Sequence, residues 1–125
     1  MENLILEQSF KTPEISFHAS NGELLLKGRV FPENPEEFFS PVIHWLQQYI
    51  QNPAPETRLE LCLSYFNSTS SEYIFRICKM VEGITRSGND ARIVWQYEIE
   101  DEDMKQIGED YADILKINFE LKAVN

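Results

Sequence analysis

A chain of 125 residues is the size of one domain, and its 42% hydrophobic content, with eight Phe, five Tyr and two Trp, supplies the apolar surface for a single core spanning residues 1–125. Eleven Lys and Arg against 21 Asp and Glu leave a net charge of −10, which argues against roles that depend on neutralising nucleic-acid phosphates or an anionic membrane surface. A protein partner or a basic ligand suits that balance, with no nucleic acid and no membrane among the expected partners.

Cys62 and Cys78 lack the close spacing of zinc or redox motifs and are expected as reduced core residues, in a strand and a helix respectively. No apolar run approaches the roughly 18 residues that span a bilayer, and the first residues lack a basic region followed by an apolar one, so a cytoplasmic location is expected.

Leu4 to Glu7 suits a short first strand, and Ile15 and Phe17 alternate with polar neighbours in a second. Asn21-Gly22 supplies two left-handed positions for a tight hairpin turn, after which Glu23 to Val30 returns as a third strand. Asn34 is placed to cap a helix whose first residue is Pro35, with Glu36 and Glu37 in its first turn and an end near Gln51. Phe38, Val42, Trp45, Leu46 and Tyr49 mark its buried stripe, while Pro41 removes a hydrogen bond or delays the regular helix.

Arg58 to Phe66 is the most apolar strand, with Leu59, Leu61, Leu63 and Tyr65 on one parity and Cys62 and Phe66 on the other, a pattern expected of a central strand covered on both faces. The following helix, from about Ser70 to Arg86, has Tyr73, Ile74, Ile77, Cys78, Val81 and Ile84 on its apolar stripe. Glu72, Phe75, Arg76, Lys79, Glu82 and Arg86 fall on the other side, where Phe75 is the anomaly. Arg92 to Tyr97 reads as a strand, Glu98 to Asp103 as an acidic segment leading into a helix with Met104, Ile107 and Tyr111, and Ile117 to Leu121 as a last strand.

The order β-β-β-α-β-α-β-α-β specifies an α/β fold, a single-domain mixed sheet with about three helices on one or both faces. Functional groups in such sheets gather at the carboxyl ends of strands, where the hydroxyl run Ser68-Thr69-Ser70-Ser71 emerges after Asn67. Those hydroxyls can cap the helix, through Ser70 or Thr69, or accept a phosphate on an exposed neighbour.

Thr12-Pro13-Glu14-Ile15, Gly28-Arg29-Val30-Phe31-Pro32-Glu33-Asn34-Pro35 with Phe38-Phe39 and Pro41, Tyr65-Phe66-Asn67-Ser68-Thr69-Ser70-Ser71, and Trp95-Gln96-Tyr97 with Asp101-Glu102-Asp103-Met104 and Gly108-Glu109-Asp110 together resemble the SiaC family of bacterial regulatory phosphoproteins. The resemblance implies a STAS-like (SpoIIAA-like) fold, akin to anti-sigma-factor antagonists, and a non-enzymatic partner switch. It implies phosphorylation by a serine/threonine kinase, reversal by a metal-dependent serine/threonine phosphatase, and an unphosphorylated form that activates a diguanylate cyclase in cyclic-di-GMP and biofilm control. Carried onto this chain, the phosphoacceptor is Ser68, with Thr69 as second candidate, and Glu72 stands where the family often has a basic residue. Asn67, Ser70, Ser71, Glu72, Phe75, Arg76 and Lys79 are the expected partner-binding residues, with Phe75 and the two cations as a docking surface.

The alternatives are a regulator of the anti-sigma-factor-antagonist type acting on another output, and a small metal-dependent enzyme using Asp101 or Asp103 with His18 or His44. The acidic segment lacks the glycine and ligand spacing of a calcium loop, no phosphate-binding glycine loop or nucleophile elbow occurs, and no cofactor or metal is expected.

Overall fold

The computed structural model describes residues 1–125. Its elements are β1 (Leu4–Leu6), β2 (Glu14–His18), β3 (Glu23–Val30), α1 (Pro35–Tyr49), β4 (Glu56–Phe66), α2 (Ser68–Arg86), β5 (Asp90–Glu98), α3 (Glu102–Ile114) and β6 (Asn118–Val124). They form one six-stranded sheet in which spatial order equals chain order, β1 to β6. The first two pairings are antiparallel, and β3 to β6 run parallel.

Sequential order decides where the helices lie. Each parallel connection is right-handed by preference, and three such crossovers stepping in the same direction deposit their helices on the same face. The core agrees: Leu59, Leu61 and Leu63 of β4 and Ile93 and Trp95 of β5 join α1, α2 and α3 residues in one cluster of 24 buried side chains. The opposite face carries a polar network on β4 and β5, where Gln96 Nε2 donates to Glu60 Oε1 (2.6 Å) and Arg58 Nη1 lies 3.2 Å from Glu60 Oε2. β4 is therefore central in the sheet but covered by helices on one face, not two. Cys62 sits half-buried on the open face beside Glu60 rather than in the core, whereas Cys78 is buried; both are free thiols.

The local chemistry of each element follows the sequence with a few departures. At the hairpin, Gly22 takes a positive φ of 73° and Asn21 does not; Asn21 Oδ1 instead accepts from Glu23 N, closing a longer turn in which Gly22 N donates to His18 O. Gly22 is also sterically required, since a Cβ there would lie 2.0 Å from the Glu56 carbonyl oxygen. Asn34 caps α1 by accepting from Glu37 N at 3.1 Å, and the helix runs unbroken through Pro41, which lies on its exposed side. Phe39 is buried and stacks on Tyr73, Ile43 is buried too, and Phe38 is only half-buried, so the stripe holds two residues that its spacing did not indicate.

Tyr65 departs further. The β3–β4 register pairs Gly28 with Leu63 but Arg29 with Tyr65, so Ser64 is an extra residue in β4. That bulge reverses the alternation. Leu63 faces the core, Tyr65 becomes 50% exposed and contacts Phe31, and Phe66 turns inward to meet Trp95 edge-on. No helix is long and apolar enough to cross a membrane.

Candidate functional site

Because β3 to β6 are parallel, the loops that follow β3, β4 and β5 and the helix starts at Pro35, Ser68 and Glu102 all lie at one edge of the sheet. At the middle of these, Asn67 holds the turn between β4 and α2. Its N–H donates to Val30 O, its carbonyl accepts from Ser71 N, and its side-chain oxygen accepts from Ser70 N at 2.9 Å. Asn67 is thus the cap of α2, the role expected of Ser70 or Thr69.

With the cap supplied upstream, the four hydroxyls are free to differ. Ser68 and Thr69 occupy the first two helical positions and are exposed. Their amides lie in the part of the first turn that has no intrahelical acceptor. Ser71 Oγ donates to Ser68 O at 2.7 Å. Ser70 is fully buried with its Oγ unpartnered, so it faces the interior rather than a partner.

Beside Ser68 opens a groove of about 510 Å³ between α2 and α3, lined by Phe66, Asn67, Ser68, Ser71, Glu72, Phe75, Ile107 and Tyr111. Its floor is aromatic. Phe75 meets Tyr111 edge-on at 5.3 Å between centroids, and Tyr111 tilts onto Trp95 at 4.9 Å. The Tyr111 hydroxyl donates to Ser71 O at 3.4 Å, and burial, followed by the neighbouring Cys78, pushes its phenol pKa up, so it stays neutral and a donor. Phe75 is therefore a half-buried wall of the groove, not a lone ring on a polar face.

Further along α2 the cations separate. Arg76 is exposed. Lys79 Nζ donates to Glu82 Oε1 at 3.0 Å, and Glu82 is 2% exposed, contrary to its placement on the polar side by helical spacing. The reason lies outside α2: Glu82 Oε2 accepts from the backbone N–H of Lys116 at 2.6 Å, between α3 and β6, while Arg86 Nη2 reaches Oε1 at 2.7 Å. The Lys116 hydrogen bond first, then Lys79, holds the Glu82 carboxyl below its ordinary pKa. Lys79 makes this contact from the surface, its side chain 47% exposed.

The residues of the metal-enzyme alternative do not converge. Asp101 caps α3 by accepting from Met104 N at 3.0 Å. His18 bonds Ser16 and aligns through Glu23 and Arg58 with Arg92, at the N-terminal ends of the parallel strands, opposite the edge where Asp101 lies. His44 bonds Gln48 on the exposed face of α1, and no group of three or more His, Cys, Asp or Glu side chains is arranged to hold a metal ion. Burial, then the Glu60 charge, pushes the Cys62 thiol up to about 11, away from nucleophilic use near neutral pH.

A cavity of about 850 Å³ lies at that opposite end, lined by 14 residues including Glu23, Arg58, Asp90 and Lys116. It is remote from the α2 start and holds charges of both signs. Phe66, Ile107 and Tyr111 are the groove residues that the sequence did not single out as a site. The four-residue spacing of Ile107 and Tyr111 on either side of Gly108 is the signal that places them together. Gly108 lets α3 approach the sheet, since a Cβ there would lie 2.6 Å from both Leu121 Cδ2 and Trp95 Cδ1.

A mixed six-stranded sheet with three helices on one face is a STAS-like fold, and here it carries exposed hydroxyls at a helix start beside a shallow groove. The family model for "SiaC family regulatory phosphoprotein" matches residues 6–124, and the chain belongs to that family. It is similar to apo-SiaC from Pseudomonas aeruginosa, with a TM-score of 0.89 and 24% identity over 98% of this chain and 100% of that one. It is also similar, with a TM-score of 0.91 and 25% identity over 97% of this chain and 99% of the other, to a chain in the crystal structure of diguanylate cyclase SiaD in complex with its activator SiaC from the same organism. An uncharacterised protein of P. aeruginosa strain UCBPP-PA14 is 25% identical over 123 residues, 98% of each chain.

Proposed function

We propose that this chain is a non-enzymatic, cytoplasmic partner switch whose unphosphorylated form binds and activates a diguanylate cyclase, as the similar SiaC is an activator of SiaD. The switch is phosphorylation of Ser68, or of Thr69 beside it, by a serine/threonine kinase and its removal by a metal-dependent serine/threonine phosphatase. The observation that carries this reading is the position of Ser68: exposed, first in α2, and on the lip of the apolar groove.

A phosphate there adds about −1.5 to −2 charges at pH 7. It stands one helical turn from Glu72, an i,i+4 relation that brings like charges together. A cyclase segment inserting an apolar side chain against Phe66, Phe75 and Ile107 must then desolvate a dianion, which is costly without a matching cation. Nothing in this mechanism requires the fold to open. Asn67 holds the turn through its cap and backbone bonds whether or not its neighbour is modified.

Mass spectrometry of the protein from its native cell is expected to find phosphate on Ser68 or Thr69, and the unmodified protein is expected to capture a diguanylate cyclase. Capture of an anti-sigma factor in its place would move the output to the alternative regulator. Phosphate at neither residue would remove the switch.

A further inference from the structure

The edge strand β6 lies away from the α2 turn and has its own chemistry. It is last in the sheet and pairs with β5 over its seven residues without a bulge. Val124 O accepts from Ile99 N at 2.8 Å on the β5 side. The N–H and C=O of one strand residue point the same way and successive residues alternate, so Asn118, Glu120, Lys122 and Val124 direct their backbone groups to β5. Phe119, Leu121 and Ala123 direct theirs outward, to an unpaired edge. No proline interrupts β6.

Side chains alternate in step. Phe119 stacks with Trp95 at 6.2 Å and Leu121 packs against the core, whereas Glu120 and Lys122 are exposed on the face without helices. Two copies of β6 meeting edge to edge about a two-fold axis must run antiparallel and set outward-pointing residues opposite one another. An axis through Glu120 would oppose the two Glu120 side chains, and one through Lys122 the two Lys122 side chains. An axis through Leu121 sets each Glu120 opposite Lys122 of the second copy and pairs Phe119 with Ala123. Opposite charges across strands stabilise and like charges destabilise, so the central register is the favoured one.

We propose that the chain self-associates through β6 as an antiparallel pair centred on Leu121, continuing the six-stranded sheet into a second copy. The reading is independent of the switch at Ser68, which lies on a different edge. The net charge of −10 on each copy opposes association at long range. At about 0.15 M salt that repulsion is screened beyond about 8 Å, while the Glu120–Lys122 pairs act at contact.

Sedimentation of the full chain over a rising concentration series is the test, at that ionic strength. The wild type is expected to pass from a 14.6 kDa species to one of twice that mass. Glu120→Lys and Lys122→Glu each make both cross-pairs like-charged and are expected to weaken association by about tenfold or more. The double exchange, Glu120→Lys with Lys122→Glu, restores opposite charges and is expected to recover wild-type association. Thermal melts at concentrations where every variant is monomeric, unchanged among them, show that the monomer fold is not the cause. A wild type that stays monomeric, single reversals that associate like wild type, or a double exchange no better than the singles would overturn the proposal. So would an edge that becomes protected from hydrogen exchange only when another protein is added, which would assign β6 to that protein.

Discussion

At its C-terminal end α2 is tied to the molecule by a buried carboxylate: Glu82 accepts from Lys116 N, Lys79 and Arg86, joining the helix to the segment before β6. At its N-terminal end the same helix has one capping side chain, two exposed hydroxyls and a groove open to solvent. The first end is a buried, charge-paired anchor; the second is also tied to Val30 O and to the Tyr111 hydroxyl, but it presents modifiable hydroxyls to solvent. A modification at the second end can therefore change what the surface presents while the first keeps the helix in place. Stability and switching are separated along one element.

The largest effect is expected from Glu82→Gln, which keeps the shape but removes the charge from three hydrogen bonds. Charge-assisted bonds contribute more than neutral ones, and a loss of about 3 kcal/mol in urea unfolding is expected. The pH dependence follows from the lowered pKa. A carboxylate whose folded pKa lies below its ordinary value of 4.5 contributes stability that is present above that value and is lost as pH falls through the folded value. The stability gap between wild type and Glu82→Gln should be full at pH 7 and close as the solution is acidified below about pH 4.5. A gap that persists unchanged at pH 3 would mean that the charge is not what anchors this end.

Gly108→Ala comes next. Its Cβ would meet Leu121 and Trp95 at 2.6 Å, so α3 must shift away from the sheet, at a cost of about 2 kcal/mol by the usual range for overpacking. Because α3 forms one wall of the groove, the variant is also expected to weaken capture of the cyclase. A Tm equal to wild type would show that α3 has room to move.

These two residues show what the sequence made legible. All nine elements could be read in order, because period-two alternation, an Asn-Pro helix start and the turn residues are local signals. The α2 turn was legible for the same reason. Glu82 was not: its burial depends on the Lys116 amide, 34 residues away, which helical spacing cannot encode. Strand alternation places Tyr65 on the wrong face because one extra residue, Ser64, inverts the parity, and a bulge is visible only once β3 is alongside. Phe75 stood out as anomalous on its own helix and became intelligible when Tyr111 supplied its neighbour.

Phe75→Ala is expected to act on both sides of the division. A half-buried ring with one edge-on aromatic partner contributes less than a core Phe, so a loss of about 1–2 kcal/mol is expected, together with a cyclase affinity reduced about tenfold or more. Stability loss alone, with cyclase capture intact, would make the ring structural and move the docking surface elsewhere.

Ser68→Asp is expected to have the smallest effect on stability and a large one on binding. A carboxylate at the first position of α2 gains about 0.3–1 kcal/mol from the helix N-terminus. Glu72, four residues on, opposes it by about 0.2–0.5 kcal/mol as a like-charged pair. The two nearly cancel, so chemical denaturation should place the variant within about 0.5 kcal/mol of wild type. In a Glu72→Gln background the opposing charge is gone, and the same substitution should become measurably stabilising. Cyclase capture should fall with Ser68→Asp and persist with Ser68→Ala, since only the former brings charge to the lip of the groove. If Ser68→Asp were to unfold the domain, the N-terminal end of α2 would be an anchor like its C-terminal end, and the separation of stability from switching would fail.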